Sequence, residues 1–158
     1  MLPAMDDPVL AQIGDAIGLS TRGDASGART LLLQLWQAIG EAGDPLHRCA
    51  AAHSLADVVV DPHDQLTWDL RALAAADELT DARVEAAGMA TTVAAMYPSL
   101  HLNLGEAYRK VGDRDRALDH LARGRETLVH VIDEGTREMF DDAFARLAER
   151  LVLTLGPG

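Results

Sequence analysis

Cys49, His53 and Asp57 stand four residues apart in the run HRCAAAHSLAD, so a helix there would carry a thiol, an imidazole and a carboxylate along one face. Two chemistries use such a line. A divalent metal would take all three groups, but zinc wants four ligands, and only the fold could bring in His47 or His101. A nucleophilic cysteine would use His53 as its base, with Asp57 setting the imidazole tautomer. The bland reading outweighs both, because a lone helical cysteine is usually a small buried hydrophobe and i, i+4 lines arise in any helix. No catalytic residue, metal or cofactor is therefore expected.

A second cluster, DPHDQLTWD, sets Asp61, Asp64 and Asp69 around His63 and Trp68. Its ordinary role is helix capping and first-turn carboxylates favoured by the helix dipole. Its functional alternative is an acidic collar for a cationic peptide. His120 and His130 fall on a later helix and are expected to be solvated. No Gly-rich phosphate loop with Lys, Gly-x-Ser-x-Gly, His-Glu-x-x-His or Cys-x-x-Cys is present.

Composition narrows the class further. With 25 acidic and 14 basic residues the formal charge is -11, a field that repels phosphate backbones, so nucleic acid is an unexpected partner. A single cysteine forms no intrachain disulfide. The start shows no signal-like pattern and no stretch approaches the roughly 20 apolar residues of a membrane span, so a cytoplasmic protein without a membrane partner is expected.

The elements that would position these groups are helices. Asp7-Pro8, Asp44-Pro45 and Asp61-Pro62 each pair a capping carboxylate with a residue suited to the first helical position. Gly23, Gly43 and Gly112 mark expected left-handed ends. The pattern predicts helices over 7–19, 25–41, 45–60, 63–79, 98–111, 114–131 and 136–155, within one domain spanning 1–158. Strand signals are missing, and 80–97 is ambiguous: Thr80 can cap a helix that Gly88 and the Thr91-Thr92-Val93 run would weaken.

In LNLGEAYRKVGDRDRALDHLARG, residues 102–124, large and small residues recur as Leu104, Gly105, Tyr108, Gly112, Ala117 and Leu121. Gly105 facing Ala117 would let two helical backbones approach, with the larger residues filling space around them. This spacing resembles the tetratricopeptide repeat. The same register places Ala28, Leu32, Leu35 and Ile39 in a first hairpin. A middle hairpin takes Leu55, Ala56, Val59, Trp68, Ala72 and Ala75, where Trp68 occupies a small-residue position and is expected to hold the helices wider apart. The units are offset by about 40 and 49 residues rather than the regular 34.

The resemblance implies an all-α, right-handed α-α superhelix of about three helical hairpins with a C-terminal capping helix, in which Phe140, Phe144, Leu147 and Leu151 form the inner face. It also implies a concave groove lined by the first helix of each hairpin, on Ala50, His53, Asp57 and Val60 and on Ser99, Leu102, Glu106 and Arg109, with Asn103 beside them. The expected function is a non-catalytic interaction module binding a neutral to basic peptide through His53, Asp57, Asn103, Glu106 and Arg109. The family's double-lysine and asparagine clamp for a C-terminal carboxylate is not reproduced, which disfavours a chaperone-tail receptor. A small-molecule or metal-binding protein built on Cys49, His53 and Asp57, hydrolytic in its extreme form, is the rival. The apolar run 151–155 is an expected contact for a homo-oligomer.

Overall fold

A computed structural model describes residues 7–153, and they are helical, with no strand among them. In chain order the helices are α1 (Pro8–Thr21), α2 (Ala25–Ile39), α3 (Pro45–Val58), α4 (Pro62–Ala76), α5 (Asp81–Ala86), α6 (Val93–Lys110), α7 (Arg114–Thr127) and α8 (Glu134–Leu153), with a 3-10 turn at Leu128–His130. The chain divides into two compact units, Met1–Val93 and Ala94–Gly158, described here one at a time.

The three Asp-Pro pairs all start helices. The Asp7 carboxylate accepts the Val9 and Leu10 amides at 3.1 Å, Asp44 accepts Leu46 at 2.9 Å, and Asp61 accepts His63 at 2.7 Å. Each bond satisfies a donor that the helix itself leaves unpaired. Asp61→Ala is expected to cost about 1 kcal/mol in urea unfolding, the typical worth of a cap. Asp44→Ala should cost more, because its second oxygen also accepts from Arg83 at 2.8 Å; equal losses would mean that the Arg83 contact adds nothing.

Gly23 and Gly112 take the left-handed conformation expected of them, with φ of 92° and 84°. Gly43 does not. Gly40, at φ 76°, ends α2 instead, and Gly43 sits so close to the Ile39 carbonyl that any side chain there would overlap it. Both are helix-end glycines, but one serves torsion and the other close approach.

Residues 80–97 resolve into a short helix and the start of the next. The Thr80 hydroxyl accepts the Arg83 amide at 3.2 Å to open α5, and Gly88 turns the chain at φ 71°. The following helix begins at Val93, five residues before the expected 98, and runs through Pro98. Its first amide is held by the Asp81 carboxylate at 2.8 Å, from 12 residues back. Local patterning places a start at Pro98 because proline suits a first turn; the distant cap moves the start upstream, and Pro98 then removes one helical hydrogen bond.

In the first unit α3 is buried among α1, α2 and α4, through Leu46, Cys49, Ala51, Ala52, Leu55 and Ala56. The α3–α4 pair makes the most extensive helix contact there. The Trp68 ring packs edge-to-face on Trp36 of α2, centroids 5.0 Å apart, with the Arg71 guanidinium 4.5 Å above it. In the second unit, Leu121, Leu128, Val131, Phe144, Leu147 and Leu151 form the core against Ala117, with Phe140 half-buried at its edge. A Cβ built on Gly105 would lie 3.6 Å from the Ala117 carbonyl oxygen and 2.6 Å from a Leu147 methyl. The small-residue approach expected from the sequence is thus present, and α8 also uses it.

Candidate functional site

The expected groove residues divide between the units. His53 and Asp57 lie on α3 in the first; Asn103, Glu106 and Arg109 lie on α6 in the second.

On α3, His53 is half-buried and Asp57 is exposed. Burial pushes the His53 imidazole below its ordinary value, against the pull of the Asp57 carboxylate. Asp57 stands at the wall of a cavity of about 220 Å³ between the C-terminal halves of α1 and α3 and the middle of α2, whose apolar sides are Ile17, Leu32 and Val58 and whose polar groups include Ser20 and Ser54. Helical periodicity explains the convergence, since Ser54 and Asp57 are three apart, as are Ile17 and Ser20. A second cavity of about 280 Å³ lies at the N-terminal ends of the same two helices, between Val9, Gln12, Leu35, Asp44 and His47.

Beside that second cavity is a network absent from the sequence reading. His47 Nε2 donates to Asp7 at 2.8 Å, and the Arg83 guanidinium bridges Asp7 and Asp44 at 3.2 and 2.7 Å. Burial raises the Asp7 carboxyl, but the hydrogen bonds from His47, the Leu10 amide and Arg83 outweigh it and bring the group down to about 2. A depressed carboxylate contributes stability that is complete above its unfolded pKa and disappears as pH falls through the folded one. The α1, α3 and α5 ends should therefore loosen between pH of about 4 and 2. Amide exchange across α1 would show it, and Arg83→Gln should move the loss to higher pH.

Cys49 is 2 % exposed and its thiol is pushed up to about 11 by burial, so at neutral pH it is a protonated core group. Among the described residues no three His, Cys, Asp or Glu side chains gather as metal ligands. The Cys49-His53-Asp57 line is a helical register, with its first member facing the core and its last facing solvent.

On α6, Glu106 pairs with Arg109 at 2.8 Å and also with Arg150 of α8. Asn103 lies half-buried one turn before. This face ties α6 to the last helix, with Asn103 and Arg109 both half-buried on it.

Two acidic or basic groups turn out to be interior. Asp69, which the collar alternative would place at the surface and the preferred reading among first-turn carboxylates, is 2 % exposed within α4; Asp61 is the cap and Asp64 the first-turn carboxylate, as the preferred reading has them. His120, expected in solvent, is 7 % exposed and meets His101 with an Nδ1···Nδ1 distance of 3.0 Å. The two imidazoles sit between Tyr97 and Tyr108 in a continuous row of rings. His130 is exposed as expected. On α8, Val152 and Leu153 are solvent-facing, while Thr154 and Leu155 of the expected contact run lie outside the described residues.

No protein-family model, curated protein or solved structure matches this chain. Among the described residues no helix is long and apolar enough to cross a membrane.

Proposed function

We propose that the chain is a non-catalytic interaction module of tetratricopeptide-like helical hairpins that binds a neutral to basic peptide segment. The observation that carries this reading is the Asp57 cavity on the first unit, open between two first-of-hairpin helices and lined by one carboxylate, hydroxyls and aliphatic walls. Such a mixed lining suits a side chain with a polar tip and an apolar stem. The close approach of α6 and α7 at Gly105 and Ala117 supports the repeat-like hairpin, and the charge of -11 favours a partner without excess acid. In the second unit Asn103 and Arg109 would add amide and charge contacts, with Glu106 holding Arg109 in place.

The test is a random-peptide display selection against the immobilised chain. Enrichment of sequences with basic residues, reduced for Asp57→Asn, is expected. No enrichment above a blank surface, or enrichment of acidic sequences, would overturn the reading.

A further inference from the structure

We infer that α5 is an ionic strap: Arg83 fastens it to the starts of α1 and α3, Asp81 fastens the start of α6 to it, and releasing either fastening releases the other. This goes beyond the peptide-binding reading and stands without it. All of the groups involved lie within Met1–Val93. The Arg83 guanidinium reaches the Asp7 carboxylate at 3.2 Å and Asp44 at 2.7 Å, while the Asp81 carboxylate, on the same short helix, accepts the Val93 amide at 2.8 Å. Six residues therefore join three helix starts.

The coupling follows from the shortness of α5. A helix of six residues does not sustain itself in water, where even alanine-rich helices are marginal below about 12 residues. It shares no extensive contact with another helix among the described residues, so side chains dock it: the ion pairs of Arg83, and Val84, which is fully buried. Within it, the Thr80 hydroxyl accepts the Arg83 amide at 3.2 Å, and the Arg83 carbonyl accepts the Ala87 amide at 3.2 Å. Arg83 thus belongs to the cap, the single turn and the docking contact at once. Asp81 sits in that turn and keeps its aim at Val93 only while the turn persists; in return, the closed link to Val93 restrains the turn. One two-state element biased from both ends makes the dependence reciprocal. The caps of α1 and α3 do not need the strap. Asp7 and Asp44 cap through Oδ1 and meet Arg83 through Oδ2, and Asp61 caps α4 with no ion pair among the described residues. The side chains of Arg83, Asp7 and Asp44 are 28 %, 17 % and 28 % exposed, which leaves the fastening open to screening by salt.

Native-state amide exchange would be followed by NMR on the full chain, on Arg83→Met, on Asp81→Ala and on the double variant. In Arg83→Met the amides of Ala87 and Val93 should exchange about tenfold faster, while His63, on the Asp61 cap of α4, keeps its rate. In Asp81→Ala the Arg83 Nε–H, which donates to Asp44 at 2.8 Å, should exchange faster by a similar factor. The double variant should accelerate Ala87 by less than the product of the two single effects. Raising sodium chloride from about 0.1 M to about 1 M should accelerate Ala87 and Val93 in the parent chain more than in Arg83→Met. Should His63 accelerate as well in Arg83→Met, Arg83→Lys, which keeps a cation but loses the planar fork, makes the same comparison. Val93 at its parent rate once Arg83 is replaced, an unchanged Arg83 Nε–H in Asp81→Ala, or single effects that multiply at Ala87 would overturn the strap.

Discussion

Phe144→Ala is expected to lower the stability of the second unit by about 3–5 kcal/mol, the largest effect of any single truncation proposed for this chain. Phe144 is fully buried on α8, and its ring occupies the space beside Gly124 of α7: a methyl group built on Gly124 would overlap that ring and approach His101 Cβ to 3.2 Å. The glycine is there because the phenyl ring takes the volume its own side chain would need. Gly124→Ala alone should therefore be destabilising, since overpacking costs about 1–3 kcal/mol and the gain in helix propensity returns only about 1 kcal/mol. In a Phe144→Leu background the same substitution should become neutral or stabilising, because the overlapping ring atoms are gone. Urea unfolding of the four proteins in this cycle tests the coupling, and additive effects would show that α7 and α8 do not meet as described.

The second large effect is a loss of stability on mild acidification. The His101–His120 contact needs one Nδ1–H to donate and the other Nδ1 to accept, so it survives one added proton on the pair and is lost when both imidazoles are charged. Burial pushes His120 below the ordinary histidine value; Asp119 pulls it up and Arg123 pulls it down on the same helix. Tyr97 stacks on His101 and Tyr108 on His120, and the Arg116 guanidinium lies 5.9 Å from the far ring, Tyr108. With the folded value below the unfolded one, the contribution is complete above the unfolded histidine pKa and is lost as pH falls from there through the folded value. Leaving two buried donors face to face costs about 1–3 kcal/mol. His53 adds to the same acid slope from the first unit. The reporters separate: Tyr97 and Tyr108 lie in the second unit, Trp36 and Trp68 in the first. A tyrosine-monitored acid loss that vanishes in the His101→Phe, His120→Phe double variant, while the tryptophan signal keeps its slope, is the expected outcome. An unchanged tyrosine profile would remove the pair from the account.

How the sequence related to these features depends on the distance over which each is decided. Helix starts at Asp7, Asp44 and Asp61 were legible because a cap and its amides lie within three residues. The inner face of α8 was legible too, since Phe144, Leu147 and Leu151 repeat at the helical period. The start of α6 was not, because Asp81 holds it from 12 residues away. The same holds for Asp7, His47 and Arg83, which meet across up to 76 positions, and for His120, whose polar identity predicts solvent until another imidazole is found beside it.

The candidate site shows the division most clearly. The sequence by itself determined an all-helical chain, the helical register that puts His53 and Asp57 on one side of α3, and the acidic field around them, because these follow from spacing and composition. Only tertiary structure decided that Ser54 of α3 and Ser20 of α1 would line one cavity, and that Cys49 would turn inward. A mid-helix serine carries no local signal of this kind, since its hydroxyl normally bonds the preceding turn; whether it instead opens into a cavity depends on which helices pack beside it.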